Sequence, residues 1–198
     1  LTSHTAILTG RNPKTTGVRF RTALVPGEEE TLAERFKDHG YATAAFISSS
    51  VLAPAFGLNQ GFDRYDLGSM VENGKSVQNE RRAEETITSA IEYLHTLEKQ
   101  PFFLWIHLYD PHTPYDAPPP YGAMYDPDYT GPLRGSVEEI TFLNATRGAK
   151  LSERDLQHLQ AIYHGEVTYL DHQIGRLLEA LEKQDLLDRA VLVVLADH

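Results

Sequence analysis

Apolar residues are distributed along this chain in two ways, and the contrast predicts which segments are helices and which are strands. In two long segments they recur every three or four positions. Across 79–99, Ala83, Ile87, Ala90, Ile91 and Leu94 share one helical face. Across 152–183, Leu156, Leu159, Tyr163, Val167, Leu170, Ile174, Leu177 and Leu181 step by three and four in the same way. A shorter segment, 28–38, gathers Leu32, Ala33 and Phe36 on one face, with acids in its first turn and Gly40 at its stop. Elsewhere the apolar residues run without interruption: 41–48, 102–108 (FFLWIHL) and 191–195 (VLVVL). Such runs predict strands covered on both faces. A short helix opens the chain, with Ser3 as its N-cap, Thr5, Ala6, Ile7 and Leu8 in its body, Thr9-Gly10 at its close and Asn12-Pro13 turning after it. After the first strand comes a looser stretch rich in Gly, Asn and Pro, where Phe56, Phe62 and Tyr65 are the packing points. Helices alternating with buried strands predict an α/β layered fold with a largely parallel sheet.

Between the second strand and the last long helix the pattern breaks. Residues 110–135 carry seven prolines, and five tyrosines fall between Tyr109 and Tyr129. A loop of that length in a folded domain is usually functional, and its aromatic content predicts an ordered one lying over a site. There is no internal repeat.

Composition narrows the classes. At 198 residues with 41% hydrophobic content the chain is sized for about one domain with a sizeable core. It has no cysteine, which excludes a disulfide scaffold, a thiolate zinc site and an iron–sulfur cluster. A net charge of −10 opposes binding to a phosphate backbone, so nucleic acid is not an expected partner. No apolar run approaches the length of a membrane span.

Parallel α/β enzymes keep their chemistry at the carboxyl ends of the strands. The 102–108 run delivers Tyr109-Asp110-Pro111-His112-Thr113-Pro114-Tyr115, and the 191–195 run delivers Asp197-His198. A carboxylate beside an imidazole at a strand end can hold a divalent cation; a solvated acid is the plainer alternative. Ser3-His4 at a helix start suits an anion, against the alternative of an ordinary cap. His112 is braced by Pro111 and Pro114, which suits a preorganised hydrogen-bond donor. The other histidines have plainer readings. His158, His164 and His172 are spaced by six and eight, not as the i, i+4 pair of a zinc-binding helix. His39 and His95 sit near helix C-termini, and His107 lies inside a strand as a hydrogen-bonded core residue.

These residues resemble a family. Thr2-Ser3-His4-Thr5-Ala6-Ile7-Leu8-Thr9-Gly10-Arg11 is similar to the sulfatase signature of the alkaline phosphatase superfamily, in which a C/S-x-P-x-R pattern is followed after four residues by Thr-Gly. In order there follow Gly40-Tyr41-Ala42-Thr43-Ala44, Asn59-Gln60-Gly61-Phe62-Asp63, Phe102 to His107, Asp110-Pro111-His112-Thr113-Pro114-Tyr115, Glu166 to Asp171, and Ala196-Asp197-His198. The resemblance covers essentially the whole chain. It implies an alkaline phosphatase-like three-layer α/β/α fold, with 1–198 part of one catalytic domain and 110–135 its active-site loop. It also implies that the chain is an internal portion: the family's nucleophile would fall just before Leu1, and its first metal-binding acids on an earlier strand.

The activity implied is metal-dependent hydrolysis of a sulfate ester. Two alternatives stand beside it, hydrolysis of phosphate or phosphonate esters and a binding domain that has lost its chemistry. The resemblance assigns His4 and His112 to catalysis, Ser3, His4 and His112 to the anionic ester, and Asp197 and His198 to the metal. The cation it points to first is Ca2+; Mg2+ is an alternative, and a histidine ligand would suit Mn2+ or Zn2+. A small anionic ester is the expected partner, and a periplasmic or extracellular setting fits the family. Two departures stand out. His4 and Thr2 replace the signature's Arg and Pro, and Ala44-Ala45-Phe46-Ile47-Ser48 carries neither the Lys nor the His common after Gly-Tyr. Subgroups of the resembled family with Thr at the nucleophile position show this pattern.

Overall fold

A computed structural model of the chain describes residues 1–20, 23–72, 75–76, 78–97, 100–146 and 151–198. Its elements in chain order are α1 (Thr2–Thr9), α2 (Pro13–Thr16), α3 (Leu32–Asp38), β1 (Ala42–Ile47), β2 (Arg64–Asp66), β3 (Val71–Glu72), β4 (Lys75–Ser76), α4 (Ala83–Leu94), β5 (Phe102–His107), α5 (Val137–Ala145) and α6 (Glu153–Lys183). Two compact units emerge: Leu1–Leu108 with Leu177–His198, and Tyr109–Arg176.

The first unit is built on β1. All six of its residues are buried, and it pairs in parallel with β2 on one side and β5 on the other. Because side chains alternate along a strand, the two faces of this sheet collect different residues. Ala45, Ile47, Phe103 and Trp105 meet Leu8 of α1 together with Val18, Val25, Leu52, Leu58 and Met70. The opposite face carries Ala42, Ala44, Phe46, Leu104 and Ile106, which pack on Ile87, Ala90 and Leu94 of α4 and on Leu177 and Leu181 of α6. Helices therefore cover both faces of a parallel sheet, as the α/β expectation requires. A short antiparallel pair, β3 with β4, was not anticipated.

Several boundaries differ from expectation, each for a local reason. The helix expected over 28–38 starts at Leu32, because Thr31 caps it: its hydroxyl accepts from Glu34 N–H while the Glu34 carboxylate accepts from Thr31 N–H at 2.7 Å. The helix expected over 79–99 starts at Ala83. Residues ahead of it are spent on the end of β1 instead, where Arg81 N–H donates to the Ser48 carbonyl and Ser50 N–H to that of Asn79. Glu98 and Lys99, at the expected end of that helix, lie outside the described residues. Ser3 is not a cap. The N-cap of α1 is Leu1, Ser3 sits inside the first turn, and Gly10 ends the helix at φ 66°.

The largest difference concerns 191–195. These residues form no strand, and Val191, Val193, Val194 and Leu195 are all well exposed. A ladder needs a partner, and among the described residues β5 pairs only with β1 and nothing pairs with 191–195. The segment instead brings Asp197 to α1.

In the second unit the Pro/Tyr loop is tied to the first turns of α6. The Asp126 carboxylate accepts from both terminal nitrogens of Arg154 at 2.6 Å and lies 2.8 Å from His158 Nδ1. Tyr129 lies flat on the His158 ring at 3.5 Å and donates its hydroxyl to Asp155 at 2.6 Å. Further along, Asp116 N–H donates to Glu166, and Tyr121 packs on Tyr169. These partners turn α6 away from its expected face. Its buried stripe is His158, Ile162, Glu166, Tyr169, Gln173, Leu177 and Leu181, whereas Leu156, Tyr163 and Val167 are exposed. The polar members face a loop rich in backbone donors and charged side chains, and an apolar stripe could not have satisfied those groups.

Candidate active site

The first unit brings four of the five sequence-predicted site residues together. α1 starts beside the carboxyl end of β5 and carries Ser3 and His4 in its first turn. The 191–198 segment, which forms neither helix nor strand, delivers Asp197 and His198. Ser3 donates its hydroxyl to Asp197 Oδ2 at 3.1 Å, and His4 Nε2 lies 3.3 Å from the same oxygen. Asp197 Oδ1 lies 2.7 Å from His198 Nδ1. Residues 194 positions apart thus share one carboxylate.

His4 is buried at 8% exposure, between Trp105 (ring centroids 5.7 Å apart) and His107 (4.9 Å, edge-on at 85°). Burial pushes His4 down to about 4, against the pull of Asp197 upward. Burial, helped by the neighbouring His4, pushes His107 down to about 3. Both rings are therefore neutral at physiological pH, and the contact of His4 with Asp197 is dipolar rather than an ion pair. A neutral His4 facing a carboxylate carries its proton on Nε2, since the other tautomer would set a lone pair against the oxygen. Burial raises Asp197, yet His198, His4 and Ser3 together hold it below its ordinary value. It stays a carboxylate.

His112, the fifth residue, belongs to the second unit. Its ring stacks on Tyr109 (4.4 Å, 16°) and its Nδ1 lies 2.8 Å from the Thr113 carbonyl. That carbonyl accepts Nδ1–H, which leaves Nε2 with the lone pair when the ring is neutral. His164 and His172 are exposed and His158 is buried against Asp126, in keeping with packed or solvated roles.

Two features of the site escaped sequence reading. Trp105 and His107 read as core inside FFLWIHL, although their spacing of two, which puts them on the face that meets α1, was available as a signal. The second is Arg81, whose buried guanidinium donates to the Ile47 carbonyl at 2.9 Å. Ser48 Oγ lies 2.7 Å from Thr86 Oγ1 beside it. Hydroxyls and this internal arginine occupy the end of β1, where the resembled family commonly has a Lys and a His.

The fit to a divalent cation is partial. Asp197 is a carboxylate with accessible oxygens, and His198 adds an imidazole, but among the described residues no three His, Cys, Asp or Glu side chains gather as a metal cage. A hard cation takes six or more oxygen ligands, so this chain offers a share of a shell rather than a whole one.

A family model described as Sulfatase matches residues 2–198. An ulvan-active sulfatase of Formosa agariphila is 29% identical over 220 residues, covering 100% of this chain and 40% of that protein. An arylsulfatase of Clostridium perfringens is 31% identical over 121 residues, covering 57% of this chain and 25% of that protein. Among solved structures, the phosphonate monoester hydrolase of Silicibacter pomeroyi superposes with a TM-score of 0.68 at 19% identity, over 94% of this chain and 50% of that one. The chain thus spans half or less of the length of these proteins.

Proposed function

The chain belongs to the sulfatase family, with an alkaline phosphatase-like fold, and from that premise we propose that the complete protein is a hydrolase of sulfate esters assisted by a divalent cation. One observation carries the reading: Ser3 Oγ–H and His4 Nε2–H converge on a single oxygen of Asp197. Two donors aimed at one point suit an anionic oxygen, and His4 stands where the family signature places its arginine. An ester oxygen that takes the place of Asp197 Oδ2 between these donors, once that carboxylate turns to the cation, meets both, and they stabilise the negative charge that grows as the ester bond breaks. Because α1 fixes both donors, little reorganisation is needed at that moment. His4, being neutral, contributes a hydrogen bond where the family's arginine contributes a full charge.

Asp197 is assigned as an oxygen ligand of the cation, and His198 as a second ligand or the group that orients Asp197. When bound, such a cation polarises the ester and lowers the pKa of the attacking group; Ca2+ is the first candidate, with Mg2+, Mn2+ and Zn2+ behind it. His112 is assigned to ester binding on its local geometry: Tyr109 and Thr113 hold the ring, and Nε2 can donate to an ester oxygen only in the imidazolium form, in which both ring nitrogens carry hydrogen. A periplasmic or extracellular setting is proposed on family grounds alone. Among the described residues no helix is long and apolar enough to cross a membrane.

A second reading, hydrolysis of phosphate or phosphonate esters, is favoured by the end of β1, where Ser48, Thr86 and the internal Arg81 stand in place of Lys and His. Comparing turnover of an aryl sulfate with that of the matching aryl phosphate and phosphonate separates the two. Peptide mapping across the position before Leu1 in the complete native protein adds a second reading: formylglycine there favours the sulfatase, and an unmodified Thr or Ser the phosphoryl hydrolase. A residue unable to attack, together with no turnover of any of these esters, would sink the enzymatic proposal altogether.

A further inference from the structure

The rings around His4 have a consequence for its chemistry. Trp105 and His107 stand two residues apart on β5 and leave the same face of the strand, and Phe103 continues the row. α1 lays His4 against that row, with His107 presenting an edge at 85° and Trp105 tilted at 53°. An imidazole turns about its last side-chain bond in a broad, roughly two-fold well. Nothing within His4 itself therefore holds the plane of the ring, and with it the direction of Nε2, on Asp197. With the side chain only 10% exposed and a ring on two sides, a partial turn about that bond tips the His4 ring toward a neighbour. His107 is itself buried, and its ring stands edge-on to that of His4 at 4.9 Å.

The geometry points to His107 as a positioning residue for His4: its ring edge, with Trp105 as the second wall, keeps His4 Nε2 directed at the Asp197 carboxylate and so at the oxygen of a bound anionic ester. This rests on the reading of His4 as an ester-binding group. It separates His107 from the catalytic residues, because it acts through His4 and not on the substrate. Misplacing a catalytic contact by 1 Å can cost on the order of 100-fold, so losing the wall should appear in turnover rather than in binding.

Aryl sulfate turnover by the complete protein tests this in wild type, His107→Ala, His107→Phe, His4→Ala and the His4→Ala/His107→Ala double variant, each assayed well below its melting temperature. His107→Ala is expected to lower kcat by about 10- to 100-fold with KM within about twofold. His107→Phe keeps a ring edge and should recover kcat to within about threefold of wild type, and in the His4→Ala background removal of His107 should cost less than about twofold. An equal cost of His107→Ala with and without His4 overturns the positioning role, as does a His107→Phe enzyme no better than His107→Ala. A His4→Ala enzyme with wild-type turnover, or a complete protein that turns over no aryl sulfate, overturns the ester-binding reading instead. Crystal structures of the two single His107 variants then decide the positioning claim without any activity: His4 Nε2 should leave Asp197 in His107→Ala and stay beside it in His107→Phe. A His4 ring that keeps its contact in His107→Ala overturns the claim.

Discussion

Replacing Arg81 with alanine should be among the most costly single changes in the first unit, and the cost can be assembled from its contacts. The side chain is 0% exposed. Nε donates to the Ile47 carbonyl at 2.9 Å and Nη2 to the Asp66 carbonyl at 3.2 Å, so one planar group ties the ends of β1 and β2 together. Nη1 lies 2.9 Å from Asp66 Oδ1 and 3.3 Å from Glu85 Oε1. A buried acceptor that loses its donor costs about 1–3 kcal/mol, and alanine strips two carbonyls at once. Removing one member of a buried ion pair costs about 3–5 kcal/mol where the other is left alone. Here it is not left alone: Asp66 keeps Arg64 at 2.7 Å, and Glu85 is 40% exposed. The charge contribution is therefore small, and the carbonyls dominate. The expected loss is about 3–4 kcal/mol, measured by denaturant unfolding of the complete protein followed with two spectroscopic probes. Arg81→Lys restores a charge without the flat fork and should recover about half of the loss at most. A loss below about 1 kcal/mol, or a lysine variant equal to wild type, would refute the claim that the two carbonyl bonds hold this corner.

Other outcomes follow from the same geometry. Asp197→Ala in the complete protein should abolish cation-dependent turnover and lower the bound metal measured by elemental analysis; wild-type activity would remove Asp197 from the metal site. His112→Ala should reduce the turnover rate far more than it lowers the melting temperature, and an unchanged rate constant would leave His112 a structural role. Asp126 is held down to about 2 by the Arg154 hydrogen bonds first and His158 second. A depressed carboxyl contributes stability above its unfolded value of 3.8, and that contribution fades as pH falls toward about 2. Asp126→Asn should therefore flatten the acid side of the stability profile in that window, and parallel profiles for wild type and variant would contradict the assignment. Thr31→Ala removes one half of a capping box and should cost about 1 kcal/mol, read from thermal unfolding.

How far the sequence carries depends on what each element is asked to bury. β1 and β5 were legible to within a residue or two, because a strand covered on both sides must be apolar throughout, and little else in a chain looks like that. The ends of α6 were equally plain, yet its buried face was not. Leu156, Tyr163 and Val167 form a good apolar stripe on paper, but the groups that meet this helix in the second unit are the Asp126 carboxylate, the Tyr129 ring and the Asp116 N–H. Periodicity reports which face is apolar, and a helix whose partner is polar buries a different one. The run VLVVL fails for a related reason. Its composition states that it could be covered on both sides, and pairing depends on a neighbouring strand that its own residues do not specify.

The candidate site divides along the same line. Ser3, His4, Asp197 and His198 were visible as polar residues at a helix start and after an apolar run, where short-range rules suffice to flag them. Their meeting was not visible, because Ser3 and Asp197 lie 194 positions apart and only tertiary packing decides which distant residues share a neighbourhood. His107 is the hardest case. In FFLWIHL the strand's alternation is masked by residues that are nearly all hydrophobic, so the row Phe103, Trp105, His107 cannot be told from Phe102, Leu104, Ile106 by polarity. Once β5 is paired with β1, one row faces α4 and α6 and the other faces α1, and a histidine that read as core becomes the ring beside His4. The substitution of His for the family's Arg at position 4 then gains a physical context. A guanidinium presents donors over a broad fan and tolerates a loose seat, whereas a neutral imidazole has a single N–H whose direction must be held. A buried ring wall is what such a replacement requires, and Trp105 with His107 provides it.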